Sequence, residues 1–176
     1  MPKTSESELK DKIRHVPDFP KAGILFYDIT TLLSDAAGFD MALECLADPF
    51  RHRGVDVVVG IESRGFIFGA AMAHAIGAGF VPVRKPGKLP STKVRQDYDL
   101  EYGSDGLEMH DDAVRKGQKV VIVDDLLATG GTAHATASLV KALGAEVHAL
   151  AFLIELTALN GRERLPGENI HVVLKY

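Results

Sequence analysis

Short apolar runs alternate with longer segments of helical period through most of the chain. Residues 55–60, VDVVVG, form a β-branched run flanked by Gly54 and Gly60, and the Ala-rich stretch 65–76, GFIFGAAMAHAI, follows as a helix. GFVPV at 79–83 reads as the next strand and VVIVD at 120–124 as another. A helix then spans about Gly131 to Leu143, and EVHALAFLIE at 146–155 is a further strand. Periodicity alone does not separate such runs from buried helix, but their brevity and valine content decide for strands. The alternation predicts an α/β chain with a central parallel sheet flanked by helices, whose ligands gather at the carboxyl ends of the strands.

Two regions depart from that rhythm. Residues 5–15, SESELKDKIRH, open with a Ser/Glu capping pattern and place Leu9, Ile13 and Val16 on one face, which predicts a short amphipathic helix ended by Pro17 and Pro20. GILFYDI at 23–29 reads as extended, and Thr30 to Leu33 with Asp35 lead into a helix from about Phe39 to Phe50. Residues 91–110 are a long polar interval, either disordered or a functional lid. Within it Tyr98, Leu100 and Tyr102 alternate with polar neighbours, the pattern of a two-stranded flap.

Composition narrows the class. The chain has 176 residues, 46% hydrophobic and 25% charged, which fits one folded domain over 1–176. A formal charge of −4 argues against holding nucleic acid by an overall positive field, so any anion is held locally. The single cysteine, Cys45, allows no intrachain disulfide and reads as a small buried side chain. The N-terminal MPKTSESELKDKI lacks the apolar core of a signal peptide and no run of 18 apolar residues occurs, so the expected address is the cytoplasm, with no membrane partner.

The chemistry concentrates in VVIVDDLLATGGT, 120–132. Ala128, Thr129, Gly130, Gly131 and Thr132 follow a strand and open a helix, so backbone N–H groups can converge on a phosphate with the helix dipole behind them. Gly130 and Gly131 permit the close approach that such a nest needs, and the two threonines add hydroxyl donors. The segment has neither the lysine of a nucleotide P-loop nor the GxGxxG spacing of a dinucleotide fold. Asp124 and Asp125 precede the turn, and two acids beside a phosphate site are costly unless vicinal ribose hydroxyls or a hydrated Mg²⁺ need acceptors. The plainer alternative, a strand-end acid with a helix cap and a connecting glycine turn, leaves the doubled acid and the doubled glycine unexplained.

VVIVDDLLATGGT resembles the phosphoribosyl-pyrophosphate motif of the type I phosphoribosyltransferases. GILFYDIT, GIESRGFIFG, RKPGKLP, LEYGSDGLEMH and IELTALNGRERL extend the resemblance, to the adenine phosphoribosyltransferase family, over nearly the whole chain. The resemblance implies a central parallel sheet with an N-terminal hood that binds the base, about 1–34, and a flexible catalytic flap, about 91–110. It implies transfer of the 5-phosphoribosyl group from 5-phosphoribosyl-1-pyrophosphate to adenine, giving AMP and pyrophosphate. Mg²⁺ is then the expected cofactor, carried by substrate oxygens and water, and a homodimer the expected assembly.

Residue by residue, the resemblance gives Ala128 to Thr132 the 5′-phosphate and Asp124 and Asp125 the ribose hydroxyls. Glu62, Ser63 and Arg64, with Lys88 of the GKLP segment, bind pyrophosphate, although Glu62 and Arg64 alone would read as a surface ion pair and Arg84, Lys85, Lys88 and Lys93 as a solvated basic loop. Glu101 in LEYG is the general acid/base, delivered as the flap closes and excludes water; alone it would be an ordinary exposed acid. Phe26 stacks on the base, Leu126 packs on its other face, and backbone groups around Leu25 and Tyr27 read its edge, although Phe26 alone would equally suit a core. Tyr27 stands where many relatives carry arginine, and Pro86 where they often carry a basic residue. Two rivals remain at this point: a regulatory module that binds the phosphoribosyl group without catalysis, and an enzyme for another purine or a pyrimidine.

Overall fold

The structure, a computed structural model, describes residues 3–99 and 104–176. The chain forms two compact units, a smaller one up to Cys45 and a larger one, Leu46–Tyr176.

In the smaller unit, helix α1 (Lys3–Asp11) is followed by strand β1 (Arg14–Pro17), which pairs antiparallel with β2 (Leu25–Asp28). The expected helix thus stops before His15 and Val16. The Lys12 carbonyl accepts the Thr31 hydroxyl at 2.7 Å, and Arg14 reaches Asp28 of the opposite strand at 3.2 Å. A strand of four residues that contains a proline and is mostly exposed has no apolar alternation, so only its partner reveals it. Helices α2 (Thr30–Ser34) and α3 (Ala36–Ala47) come next. α3 begins earlier than Phe39 because Asp35 caps it: its Oδ1 accepts the Gly38 N–H at 2.6 Å.

The larger unit is built on five parallel strands in the order β4-β3-β7-β8-β9. β3 (Val57–Ile61) is buried at every position, as a strand covered on both faces must be. It feeds α4 (Gly65–Ile76) and then β4 (Gly79–Val83). An antiparallel ribbon follows, β5 (Lys93–Asp99) against β6 (Ser104–His110), where the sequence predicts a flap; Leu100 and Tyr102 lie outside the described residues. β7 (Lys119–Leu127), α5 (Gly131–Ala142), β8 (Glu146–Glu155) and β9 (Ile170–Lys175) complete the sheet. Val120, Val121, Ile122 and Val123 of β7 are fully buried, each stabilising the fold by about 1.5–3 kcal/mol relative to exposure. β9 is an element that the sequence pattern did not predict.

The chain steps from β3 outward to β4, then returns past β3 to β7 and on to β8 and β9. Strand order therefore reverses between β3 and β7. An open parallel sheet has its crevice outside the carboxyl ends of two such strands, and here those ends carry Glu62-Ser63-Arg64 and Asp124-Asp125.

Candidate active site

The β3–α4 turn and the end of β7 meet at this switch point. Arg64 forms an ion pair from Nε to Oδ2 of Asp125, whose side chain is buried while that of Arg64 is partly exposed. The backbones come together because Gly65 has no side chain: a Cβ there would lie 2.7 Å from the Val123 carbonyl oxygen and 2.9 Å from Oδ1 of Asp124. Asp124 Oδ1 in turn accepts the Asp125 N–H at 2.9 Å. Enclosure by protein, and after it the neighbouring Asp125 charge, hold the Asp124 carboxyl well above the usual carboxylate range. β7 continues to Leu127, so the two acids lie within the strand's last residues and not beyond its end.

Glu62 serves the same turn differently. Its carboxylate accepts Arg84 Nη2 at 2.9 Å, Arg84 Nε at 3.2 Å and the Lys85 N–H at 2.9 Å. The Arg84 hydrogen bonds depress its pKa. Arg84 also donates through Nη1 to the Lys88 carbonyl at 3.2 Å, and buried Glu108 of β6 accepts the Gly87 N–H at 3.0 Å. Two carboxylates thereby fold the basic segment 84–88 into a fixed loop. Lys88 and Lys85 are exposed on it, with Lys85 Nζ 2.7 Å from Asp105. The Glu62–Ser63 peptide bond is cis.

The second turn, Ala128 to Thr132, is built of backbone. Gly130 adopts φ +83° and caps α5, whose first residue is Gly131. No Cβ fits at Gly130, which abuts the Gly161 carbonyl, and none fits at Gly161, which abuts the Ala128 carbonyl. Over Gly131, a Cβ would meet the Tyr98 ring at 3.3 Å. Burial first, and then the nearby Asp105 charge, push the Tyr98 phenol up to about 12. Sequence reasoning singled out Gly130 and Gly131 but missed Gly161, Glu108 and the clamp of Arg84 on Glu62. The last joins residues 22 apart, a pairing that no periodicity announces.

Leu25, Phe26 and Tyr27 lie on β2 in the smaller unit. The Phe26 ring meets Phe19 edge-on at 5.1 Å, Tyr27 meets His15 in the same way at 5.1 Å, and Leu25 is exposed. Leu126 is half-buried on β7. Glu101 lies outside the described residues.

The phosphoribosyl transferase domain family matches residues 32–172. A Solibacter usitatus adenine phosphoribosyltransferase is 60% identical over 96% of this chain and 98% of its own length. The chain belongs to the adenine phosphoribosyltransferase family. The family's solved structures agree in fold: the enzyme from Thermoanaerobacter pseudethanolicus superposes with a TM-score of 0.94 at 54% identity, covering 97% of this chain and 99% of that one. The Saccharomyces cerevisiae adenine phosphoribosyltransferase, solved with adenine and an imino-altritol bisphosphate, gives 0.92 at 40% identity, covering 97% and 99%. The five parallel strands and flanking helices are those of the type I phosphoribosyltransferase fold.

Proposed function

We propose that this chain transfers the 5-phosphoribosyl group from 5-phosphoribosyl-1-pyrophosphate to adenine, releasing pyrophosphate and forming AMP for purine salvage. The observation that carries the reading is the pair of turns at one switch point, Arg64 on Asp125 at the first and a glycine nest at the second, with two adjacent acids between them. A phosphorylated sugar that bears a pyrophosphate needs both kinds of anion site and acceptors for its hydroxyls.

In this reading the backbone N–H groups of Ala128 to Thr132 and the hydroxyls of Thr129 and Thr132 hold the 5′-phosphate. Asp124 and Asp125 accept the ribose hydroxyls, and two substrate donors offset the burial, and after it the Asp125 charge, that raise Asp124. Ser63, Arg64 and Lys88 hold the pyrophosphate, while Glu62, engaged by Arg84, orients the loop that carries Lys88. The C1′–oxygen bond to pyrophosphate breaks as a purine nitrogen bonds to C1′, and Glu101 takes the proton that this nitrogen gives up. Phe26 and Leu126 stack on the adenine, with the backbone of Leu25 and Tyr27 at its edge. The smaller unit is the base-binding hood, and the ribbon β5–β6 with its connecting residues is the flap of a single catalytic domain.

Mg²⁺ fits this donor set as a hydrated ion. Asp124 and Asp125 are hard oxygen acceptors that could hold its coordinated water. Bound to the pyrophosphate oxygens, it would neutralise charge on the leaving group. No helix among the described residues is long and apolar enough to cross a membrane. We propose that the enzyme acts in the cytoplasm as a homodimer and binds no nucleic acid.

The test is turnover of adenine, hypoxanthine, guanine and orotate with 5-phosphoribosyl-1-pyrophosphate and Mg²⁺, following pyrophosphate and the nucleotide formed. Selective AMP formation is expected. Preference for another base would overturn the base assignment, and sugar binding without turnover of any base would leave a regulatory module.

A further inference from the structure

The 5′-phosphate turn, ATGGT, carries no cation of its own, although a phosphate monoester is a dianion near neutral pH. The structure brings one from 32 residues downstream of Thr132. The 3-10 turn Gly161–Arg164 packs on the phosphate turn through Gly161, seated against the Ala128 and Gly130 backbone. It is held in place from behind: Arg162 donates to Glu155 through Nε at 2.7 Å and Nη2 at 2.9 Å, and Glu155 ends β8 beside Leu127 of β7. Arg164 projects from this fixed base toward α5. Its Cβ lies 3.3 Å from the point where a Gly130 Cβ would stand, and its Nη1 lies 3.4 Å from the same point on Gly131. The guanidinium therefore sits at the first residue of the helix whose N–H groups face the phosphate. Arg164 is exposed and has no hydrogen-bond or ion-pair partner among the described residues, so its five donors are available to an incoming anion.

We propose that Arg164 is a further binding residue of the ribosyl donor, supplying to its 5′-phosphate the positive charge that the backbone turn lacks. The inference rests on the function proposed above. Arg162 and Gly161 act through it, as positioning residues.

The test is calorimetric binding of ribose 5-phosphate and, separately, of pyrophosphate to the intact protein and its Arg164→Met and Arg164→Lys variants. Methionine keeps much of the stem that packs on Gly130 and removes the charge. Ribose 5-phosphate should bind about ten-fold or more weakly to Arg164→Met, pyrophosphate should change by less than about two-fold, and lysine should recover much of the loss. Unchanged ribose 5-phosphate affinity would overturn the role, and an equal loss for both ligands would reduce Arg164 to a structural part of the turn. These readouts need no turnover, so they judge Arg164 even if adenine is not the acceptor. Failure of the unsubstituted protein to bind ribose 5-phosphate would overturn this inference together with the sugar site.

Discussion

Two strand-to-helix turns flank the same crevice and are built in opposite ways. The β3–α4 turn works through charged side chains: Arg64 pairs with Asp125, and Glu62 grips Arg84 and the Lys85 N–H. The β7–α5 turn works through backbone, with Gly130 against the Gly161 carbonyl and Gly161 against the Ala128 carbonyl so closely that neither tolerates a Cβ. A terminal phosphate has a fixed shape and position, which a preorganised nest of N–H groups matches at little entropic cost. A departing pyrophosphate gains charge and must move away, which suits long cationic side chains on a loop. As the proposed phosphate and pyrophosphate sites, the two turns should therefore fail differently when altered.

The largest effect is expected from the residue that belongs to neither turn. Glu101→Ala should lower kcat by about 10²–10⁴-fold while calorimetric binding of ribose 5-phosphate and pyrophosphate stays unchanged; a normal kcat would remove its acid/base role. Gly130→Ala should come next. With φ at +83° and the Gly161 carbonyl in the way, the turn must shift, and a displacement of about 1 Å costs about 100-fold in kcat/KM for the ribosyl donor. Its signature is loss of ribose 5-phosphate binding with pyrophosphate binding kept, and Arg64→Met should give the reverse pattern.

Asp124→Asn separates function from stability. A carboxyl whose folded pKa is raised costs stability as pH rises through its unfolded value, so removing its charge should stabilise the unliganded protein at neutral pH. A Tm rise of about 2–4 °C should accompany a roughly ten-fold or greater loss of kcat/KM, and a fall in Tm would contradict the raised pKa. The smallest effect is Glu62→Gln, which should cost about 1–3 kcal/mol in denaturant unfolding at neutral pH. The folded pKa of Glu62 is depressed, so its contribution is present above the ordinary carboxylate value and is lost as pH falls through the folded one. The gap between the two proteins should therefore close in acid.

The sequence made one of these turns far more legible than the other. DDLLATGGT displays its chemistry locally, as a strand, acids and glycines in succession, and α4 and β4 fall on the residues that their periodicity predicts. Glu62 shows no such local sign, since its partners Arg84 and Lys85 arrive only when β4 lies beside β3. The helical pattern does not reveal β1, whose mostly exposed residues depend on β2 for pairing, and Gly161 gives no hint of Gly130 from 31 positions away. Local chemistry is written in the chain, whereas support brought in by the fold is not.

A crystal structure with AMP and pyrophosphate bound would show whether the substrate's anions divide between the two turns as proposed. The AMP phosphate is expected within hydrogen-bond distance of backbone N–H groups in 128–132 and the pyrophosphate against Arg64. An AMP phosphate at Arg64, with the glycine turn left empty, would contradict that division.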